Sequence, residues 1–176
     1  MIIETKQVTQ MIIKDVPRLD PITVTLEDLA PRKGKITIEC YGKAWSAFWG
    51  GMGDQTIAQF FQSVSSDYIA GNLDSRIRSM MIDSDSIKEG CFKRVVKDRK
   101  DRDLSKEEAR ELFDEIDMAH VGDDGWCNPN LMQKIFGDEW WYALPEKPNP
   151  AYQYMCRIIE TVQAALKSLA VEAVPA

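Results

Sequence analysis

Alternating apolar and polar positions mark the first fifty residues as strands. Residues 22–26 and 36–40 each place an apolar side chain at every second position, which is the period of a strand with one face on a core. Weaker strand patterns occupy residues 5–13 and 44–49, and residues 41–43 have the composition of a turn. Because the connections are short, these strands are expected to form a small antiparallel sheet.

After residue 53 the apolar spacing changes to that of helices. Asp54 or Thr56 is positioned to cap the first of them, and Ser66 to cap the second. Ser105 and Glu108 have the spacing of a capping box, in which each side chain accepts from the other residue's backbone amide. The stripes predict helices over residues 57–64, 66–73, 87–95, 109–116 and 129–136.

The last predicted helix begins near residue 150 and carries apolar residues with spacing 4, 3, 4, 3. These residues are Met155, Ile159, Val162, Leu166 and Leu169. The pattern fits a long helix packed on the sheet or on other helices. It also fits a short dimerising coiled coil, which would make the protein a homodimer through this helix.

The order of these elements predicts an α+β fold, with a small N-terminal antiparallel sheet followed by a mostly helical C-terminal two thirds. We expect one domain over residues 1–176, with a strand-rich part over 1–53 and a helical part over 54–176.

Composition narrows the class of protein. The 44% hydrophobic content excludes a disordered chain, and no apolar run is long enough to span a membrane. No secretory signal is visible, so we expect a cytoplasmic protein whose cysteines stay reduced. The four cysteines lie far apart, at Cys40, Cys91, Cys127 and Cys156.

The run GKITIECYGKAWSAFWGGMG over residues 34–53, followed by TIAQFF and SDYIAGNL, resembles small early-region proteins of tailed phages and prophages of enteric bacteria. The similarity covers Gly34 to Leu73. It implies a protein of the bacterial host cytoplasm that acts by binding host machinery for replication, recombination, transcription or defence. It implies no catalytic motif.

The chain has 28 acidic and 22 basic residues, and they are unevenly distributed along it. Residues 104–124 hold eight acids and two bases, and Glu108, Glu111 and Glu115 share one face of the predicted helix. We call these three residues the acidic face. It is explained either by ordinary solvation or by docking on a basic surface of a host protein, where it would exclude the natural ligand.

Aromatic and further acidic residues near this helix extend the candidate partner-binding surface. Trp and Tyr are favoured anchors of interfaces, although such residues in proline-rich sequence also pack long connections onto a fold. The residues are Asp123, Asp124, Trp126, Trp140, Trp141 and Tyr142.

One segment is basic, since Lys88 to Arg102 carries seven bases and three acids. Lys93, Lys97 and Lys100 are its candidate nucleic-acid contacts. Helical spacing places Glu89 near Lys93, Arg94 near Asp98 and Lys97 near Asp101, so part of the charge is expected to be paired locally. A nucleic-acid-binding protein is therefore an alternative, and a solvated helix face is the simpler explanation.

Catalytic and cofactor chemistry find little support. Gly50 to Gly53 precedes a helix but lacks the lysine and hydroxyl of a P-loop, so it predicts a tight turn. His120 and Cys127 have no metal-ligand spacing, and an enzyme site near them is the weakest alternative. We expect no enzyme, no cofactor and no metal, and a protein that binds and modulates a host protein.

Overall fold

The structure is a computed structural model that describes residues 1–122 and 127–172. It divides the chain into two compact units. The sheet unit is Met1–Ser79 with Pro150–Ala176, and the inserted unit is Met80–Asn149. The α+β prediction is confirmed, and no helix of the described residues is long and apolar enough to cross a membrane.

The predicted elements occur in the expected order, and two short strands and two 3-10 turns lie among them. The strands are β1 (Thr9–Ile13), β2 (Ile22–Ala30), β3 (Lys33–Cys40), β4 (Lys43–Trp49), β5 (Met80–Ile82) and β6 (Glu146–Pro148). The helices are α1 (Ile57–Ser63), α2 (Ser66–Leu73), α3 (Ile87–Asp101), α4 (Lys106–Met118), α5 (Pro129–Phe136) and α6 (Pro150–Glu172). Two 3-10 turns lie at Ser84–Ser86 and Trp140–Ala143.

The sheet unit contains an antiparallel meander in the order β1-β2-β3-β4. The period-two pattern sends Val24 and Ile38, which are register partners, fully into the core. The same alternation places Thr25 opposite Thr37 on the other face. Tyr41 and Gly42 both have positive φ, as a two-residue hairpin turn between β3 and β4 requires.

Helices α1, α2 and α6 cover the apolar face of this sheet. Thr56 caps α1 in a complete capping box with Gln59, as one of the two predicted caps. The cap of α2 is Ser65, so the prediction of Ser66 was wrong by one residue. Adjacent serines offer the same hydroxyl, and only the extended backbone of Ser65 places it at the free amide of Tyr68.

The apolar stripe of α6 is buried within the sheet unit, which confirms the packing interpretation. Met155, Ile159 and Val162 belong to the core, whereas Leu169 is half exposed. The amide of Gln163 donates to the carbonyls of Phe61 and Val64, both at 2.8 Å, and thereby ties α6 to the end of α1.

The inserted unit has its own core between α3, α4 and α5. It begins and ends in the short antiparallel pair β5 and β6, in which Met80 is opposite Pro148. Neither strand was predicted. The helical part expected over 54–176 is therefore divided, because α1, α2 and α6 join the sheet while α3, α4 and α5 form the inserted unit.

Candidate functional site

The acidic face is partly engaged inside the inserted unit. Ser105 and Glu108 form the predicted capping box, and the Ser105 backbone amide donates to the Glu108 carboxylate at 2.8 Å, which lowers the pKa of Glu108. Glu115 accepts from Lys134 on α5 at 2.7 and 2.9 Å. Glu111 is exposed, and its side chain has no hydrogen-bond or ion-pair partner within residues 1–122 and 127–172. Of the three glutamates, Glu111 is therefore the one free to meet a partner.

The aromatic run 140–142 forms a 3-10 turn that divides its side chains between the core and the surface. Trp140 packs on the core of the inserted unit, while Trp141 is 51% exposed and Tyr142 is 80% exposed. Consecutive rings lie 5.9 Å apart between centroids. The structure thus presents Trp141 and Tyr142 from an anchored turn, which we call the aromatic turn.

Helix α5 connects the acidic face to the aromatic turn. Asn128 caps α5 through its side-chain oxygen, Gly137 ends it, and its buried residue Ile135 holds it in the core. Lys134 of the same helix pairs with Glu115 of α4. The acidic face and the aromatic turn therefore lie on elements of one packed unit. Three predicted members of this surface, Asp123, Asp124 and Trp126, lie outside the described residues and stay predictions.

The basic segment has a more definite geometry than its sequence indicated. A cavity of about 480 Å³ runs beside α3 and α4, and we call it the α3–α4 groove. Its apolar floor is Phe92, Val96 and Phe113, with the two phenylalanine rings 5.0 Å apart. The three predicted contacts, Lys93, Lys97 and Lys100, all line this groove, together with Glu89 and Asp101.

Two of the three predicted local ion pairs form on α3. Lys93 lies 2.6 Å from Glu89, and Arg94 lies 2.8 Å from Asp98. The expected pair of Lys97 with Asp101 does not form, and within the described part of the chain neither Lys97 nor Lys100 has an ion-pair partner. Lys97 and Lys100 therefore line an apolar groove without an ion-pair partner of their own, and the carboxylates of Glu89 and Asp101 line the same groove.

The phenylalanines of the groove were not predicted as site residues. Phe113 belongs to the apolar stripe over residues 109–116 that predicted α4, yet it is 37% exposed. Phe92 and Val96 stand one helical turn apart, and each directly precedes a lysine, Lys93 or Lys97. That adjacent apolar pair is the signal from which the groove could have been suspected.

Cys127 does not have the surroundings of an activated nucleophile. Cys127 is buried and its burial raises its pKa, while His120 is exposed. The pKa of Cys91 rises to about 11, first by burial and then by the neighbouring Cys127. A raised pKa keeps a thiol protonated, whereas nucleophilic cysteines have lowered values. In residues 1–122 and 127–172, no three His, Cys, Asp or Glu side chains are grouped to hold a metal.

The amides that follow the glycine-rich run are occupied by the chain itself. The first amide of α1, that of Ile57, donates to the Asp28 carboxylate at 2.7 Å, and the amide of Gln59 donates to Thr56. A negative side chain at this helix start takes the place of an external anion. Residues 50–53 begin the seven-residue connection from β4 to α1, in which Gly53 has a positive φ of 64°.

The model of a phage family matches residues 1–168. This match confirms the phage resemblance and extends it from residues 34–73 to nearly the whole chain. No curated protein and no solved structure matches the chain.

Proposed function

Because the chain belongs to a phage family, we propose that it is an accessory protein that binds and modulates a host protein of nucleic-acid metabolism or defence. The observation that carries this proposal is the aromatic turn. Trp140 anchors the turn in the core, so that Trp141 and Tyr142 are held exposed at a fixed place. Large aromatic side chains held in this way are the most frequent energetic anchors of protein interfaces. The proposed role is binding, without catalysis and without a cofactor.

The charge of the inserted unit indicates the kind of partner surface. Residues 80–149 contain 17 of the 28 acidic residues and 11 of the 22 basic residues. Glu111 and Glu139 stand exposed on α4 and immediately before the aromatic turn. A basic partner surface would be attracted to this region, which raises the rate of encounter and favours the correct orientation. Occupying such a surface would block the nucleic acid that normally binds there.

The structure changes which residues test this proposal. Replacing Glu108 would remove half of a capping box, and replacing Glu115 would break its pair with Lys134. Either change would alter the stability of α4 as well as its surface. Glu111, Trp141 and Tyr142 can be replaced with less effect on folding, because Glu111 has no described partner and the two aromatic side chains are exposed.

The test is an affinity pull-down from nuclease-treated lysate of the bacterium that carries the phage, followed by mass spectrometry. The wild-type protein is compared with Trp141→Ala/Tyr142→Ala and with Glu111→Lys. The affinity for a host protein that the wild type retains should fall about thirtyfold in the double variant, since anchor residues contribute about 2 kcal/mol or more to binding. Glu111→Lys should lower the association rate constant of this host protein, with a smaller effect on its dissociation rate constant.

Matched control variants come from the sheet unit. Tyr41 is 78% exposed, close to the exposure of Tyr142, and Glu39 is an exposed glutamate. Tyr41→Ala and Glu39→Lys should retain the host protein as well as the wild type does. Equal retention by the aromatic-turn variant and by these controls would contradict the proposal.

A further inference from the structure

We propose that the α3–α4 groove binds single-stranded nucleic acid, with phosphates on the lysine row and bases against the phenylalanine floor. This inference goes beyond the proposed host-protein binding because it concerns a different surface of the inserted unit. It uses Lys93, Lys97 and Lys100 at the rim, and Phe92, Val96 and Phe113 on the floor.

The lysine row supplies a short cationic track. Positions 93, 97 and 100 are four and three residues apart, so the three side chains follow one line of α3 over about 10 Å. Lys97 and Lys100 have no ion-pair partner in the described ranges, and the Lys93 to Glu89 pair is largely exposed at 73% and 65%. Exposed pairs are weak and exchange readily, so all three ammonium groups are available to phosphates.

The floor supplies apolar and aromatic surface directly beside that track. Val96 is 40% exposed and Phe113 is 37% exposed, and Phe92 packs against Phe113 at 5.0 Å. A cationic track next to exposed rings is the combination with which proteins hold single strands, because every base has a face that can stack on a ring. In a duplex the base faces are already covered, so this floor would contact bases only in a single strand.

The length of the floor distinguishes nucleic acid from an acidic amphipathic helix. Phe92 and Val96 are one helical turn apart, and α4 contributes one further ring to the lining, Phe113, at 5.0 Å from the Phe92 ring. A bound helix would need anchor pockets over two turns or more, at positions i, i+3, i+4 and i+7. A floor one turn long suits one or two bases, so the groove fits a short stretch of single strand.

The binding is expected to be modest and strongly dependent on salt. The inserted unit is acidic overall, and Glu89 and Asp101 also line the groove, so long-range attraction is small. With three lysines on phosphates, the slope of log affinity against log salt should be about −2, from about −0.7 per phosphate contact for single strands.

The experiment uses fluorescence anisotropy of the purified full chain with a fluorescein-labelled 15-nucleotide oligo-dT at several salt concentrations. Lys97→Gln/Lys100→Gln should weaken binding at least tenfold and bring the salt slope to about −0.7, since one phosphate contact remains. Phe113→Leu keeps the floor apolar but removes a ring, and it should weaken binding about tenfold with an unchanged salt slope. Lys33→Gln/Lys43→Gln in the sheet unit is the matched control, and it should bind as the wild type does.

Three results would overturn the inference. The first is no anisotropy change for the wild type with oligo-dT at low salt. The second is an equal loss with the groove variants and with the control pair, which would indicate attraction by total charge. The third is a 15-residue poly-glutamate peptide or a 15-base-pair duplex that competes as well as unlabelled oligo-dT. The anisotropy experiment uses only purified protein and a defined oligonucleotide, so a negative result would not affect the host-protein proposal. A negative pull-down would likewise not affect the nucleic-acid inference.

Discussion

The sheet unit and the inserted unit use their polar residues in different ways. The sheet unit has eleven acidic and eleven basic residues, and it binds several of its polar side chains to its own backbone, such as Asp28 at the start of α1 and Gln163 at its end. The inserted unit has seventeen acids against eleven bases, and it leaves Lys97, Lys100 and Glu111 without described partners. Ion pairs form in both units, such as Lys35 with Glu27 in the sheet unit and Lys134 with Glu115 in the inserted unit. What sets the inserted unit apart is its net acidic charge and the exposed rings beside Lys97 and Lys100, and exposed apolar surface of this kind indicates a binding surface.

The two cores also differ in their aromatic residues. The sheet unit buries Trp49 against Phe60 and Phe61, with ring centroids 5.5 and 6.5 Å apart. The buried residues of the inserted unit's core are aliphatic or sulfur-containing, and its rings Phe92, Phe136 and Trp140 are only partly buried. The comparison predicts that damage to the sheet unit changes stability, while surface changes in the inserted unit change binding.

The largest effect is expected from removing a core ring of the sheet unit. Phe61 is fully buried, so Phe61→Ala should lower the free energy of unfolding by about 3–5 kcal/mol through lost burial and a residual cavity. Urea denaturation would measure the loss, and hydrogen exchange would locate it. If the units unfold separately, amides of α1, α2 and α6 lose protection while those of α3 and α4 keep it.

The matched variant in the inserted unit is Ile116→Ala, since Ile116 is 1% exposed. Its cost should be about 2–5 kcal/mol, with the loss of protection in α3, α4 and α5. Equal loss of protection throughout the chain with either variant would show that the units unfold as one, which would support the prediction of a single domain.

A smaller loss is expected where the sheet meets α1. A methyl group added at Gly34 would lie 2.7 Å from Cβ of Ile57 and 2.8 Å from Cε of Met52. The methionine end can move but the isoleucine Cβ cannot, so Gly34→Ala should destabilise the protein by about 1–3 kcal/mol. Gly51→Ala is the control, because nothing lies within 4 Å of its added methyl group, and it should be close to neutral. Equal thermal stability of the two variants would contradict the close approach.

Removing a helix cap in the inserted unit should cost less. Ser105→Ala removes the oxygen that accepts from the amide of Glu108, which should cost about 1 kcal/mol. Ser105→Thr keeps an accepting hydroxyl and should retain most of the stability. Thermal unfolding followed by circular dichroism measures both. A threonine variant as unstable as the alanine variant would show that the cap is not what stabilises α4.

The smallest effect is a dependence on pH. Lys147 and then Ser86 donate to the Asp83 carboxylate and hold its pKa below the ordinary 3.8. A lowered folded pKa adds stability at pH values above the unfolded pKa, and that stability disappears as the pH falls through the folded pKa. Asp83→Asn should therefore be less stable than the wild type at neutral pH and match it at strongly acidic pH. The free energy of unfolding of both proteins would be measured between pH 2 and 6. A difference between them that does not change with pH would contradict this linkage.

Most elements could be predicted because their signals are local. Residues 22–26 and 36–40 carry a full period-two pattern, and Ser105 with Glu108 specifies a cap within four residues. Strands β5 and β6 are three residues each, too short for a period to be visible. Their pairing joins positions more than sixty residues apart, which no local pattern encodes.

The candidate sites were predicted in part for the same reason. The lysine row is a property of α3 alone and was found, whereas the groove depends on Phe113, which reaches Phe92 only when α4 packs on α3. Glu115 was assigned to a free acidic face because its partner, Lys134, is nineteen residues away. The division between Trp140 and Trp141 depends on the 3-10 turn, whose packing no periodicity indicates.

The pairing of β5 with β6 has a consequence for the history of this chain. Met80 and Pro148 are register partners, so the polypeptide enters and leaves residues 80–149 through neighbouring points. A segment with adjacent ends can be gained, lost or exchanged in one recombination event without stretching the connections on either side. Relatives of this protein are therefore expected to differ most in the sequence, or even the presence, of the inserted unit. The four-stranded sheet and α6 are expected to be inherited together.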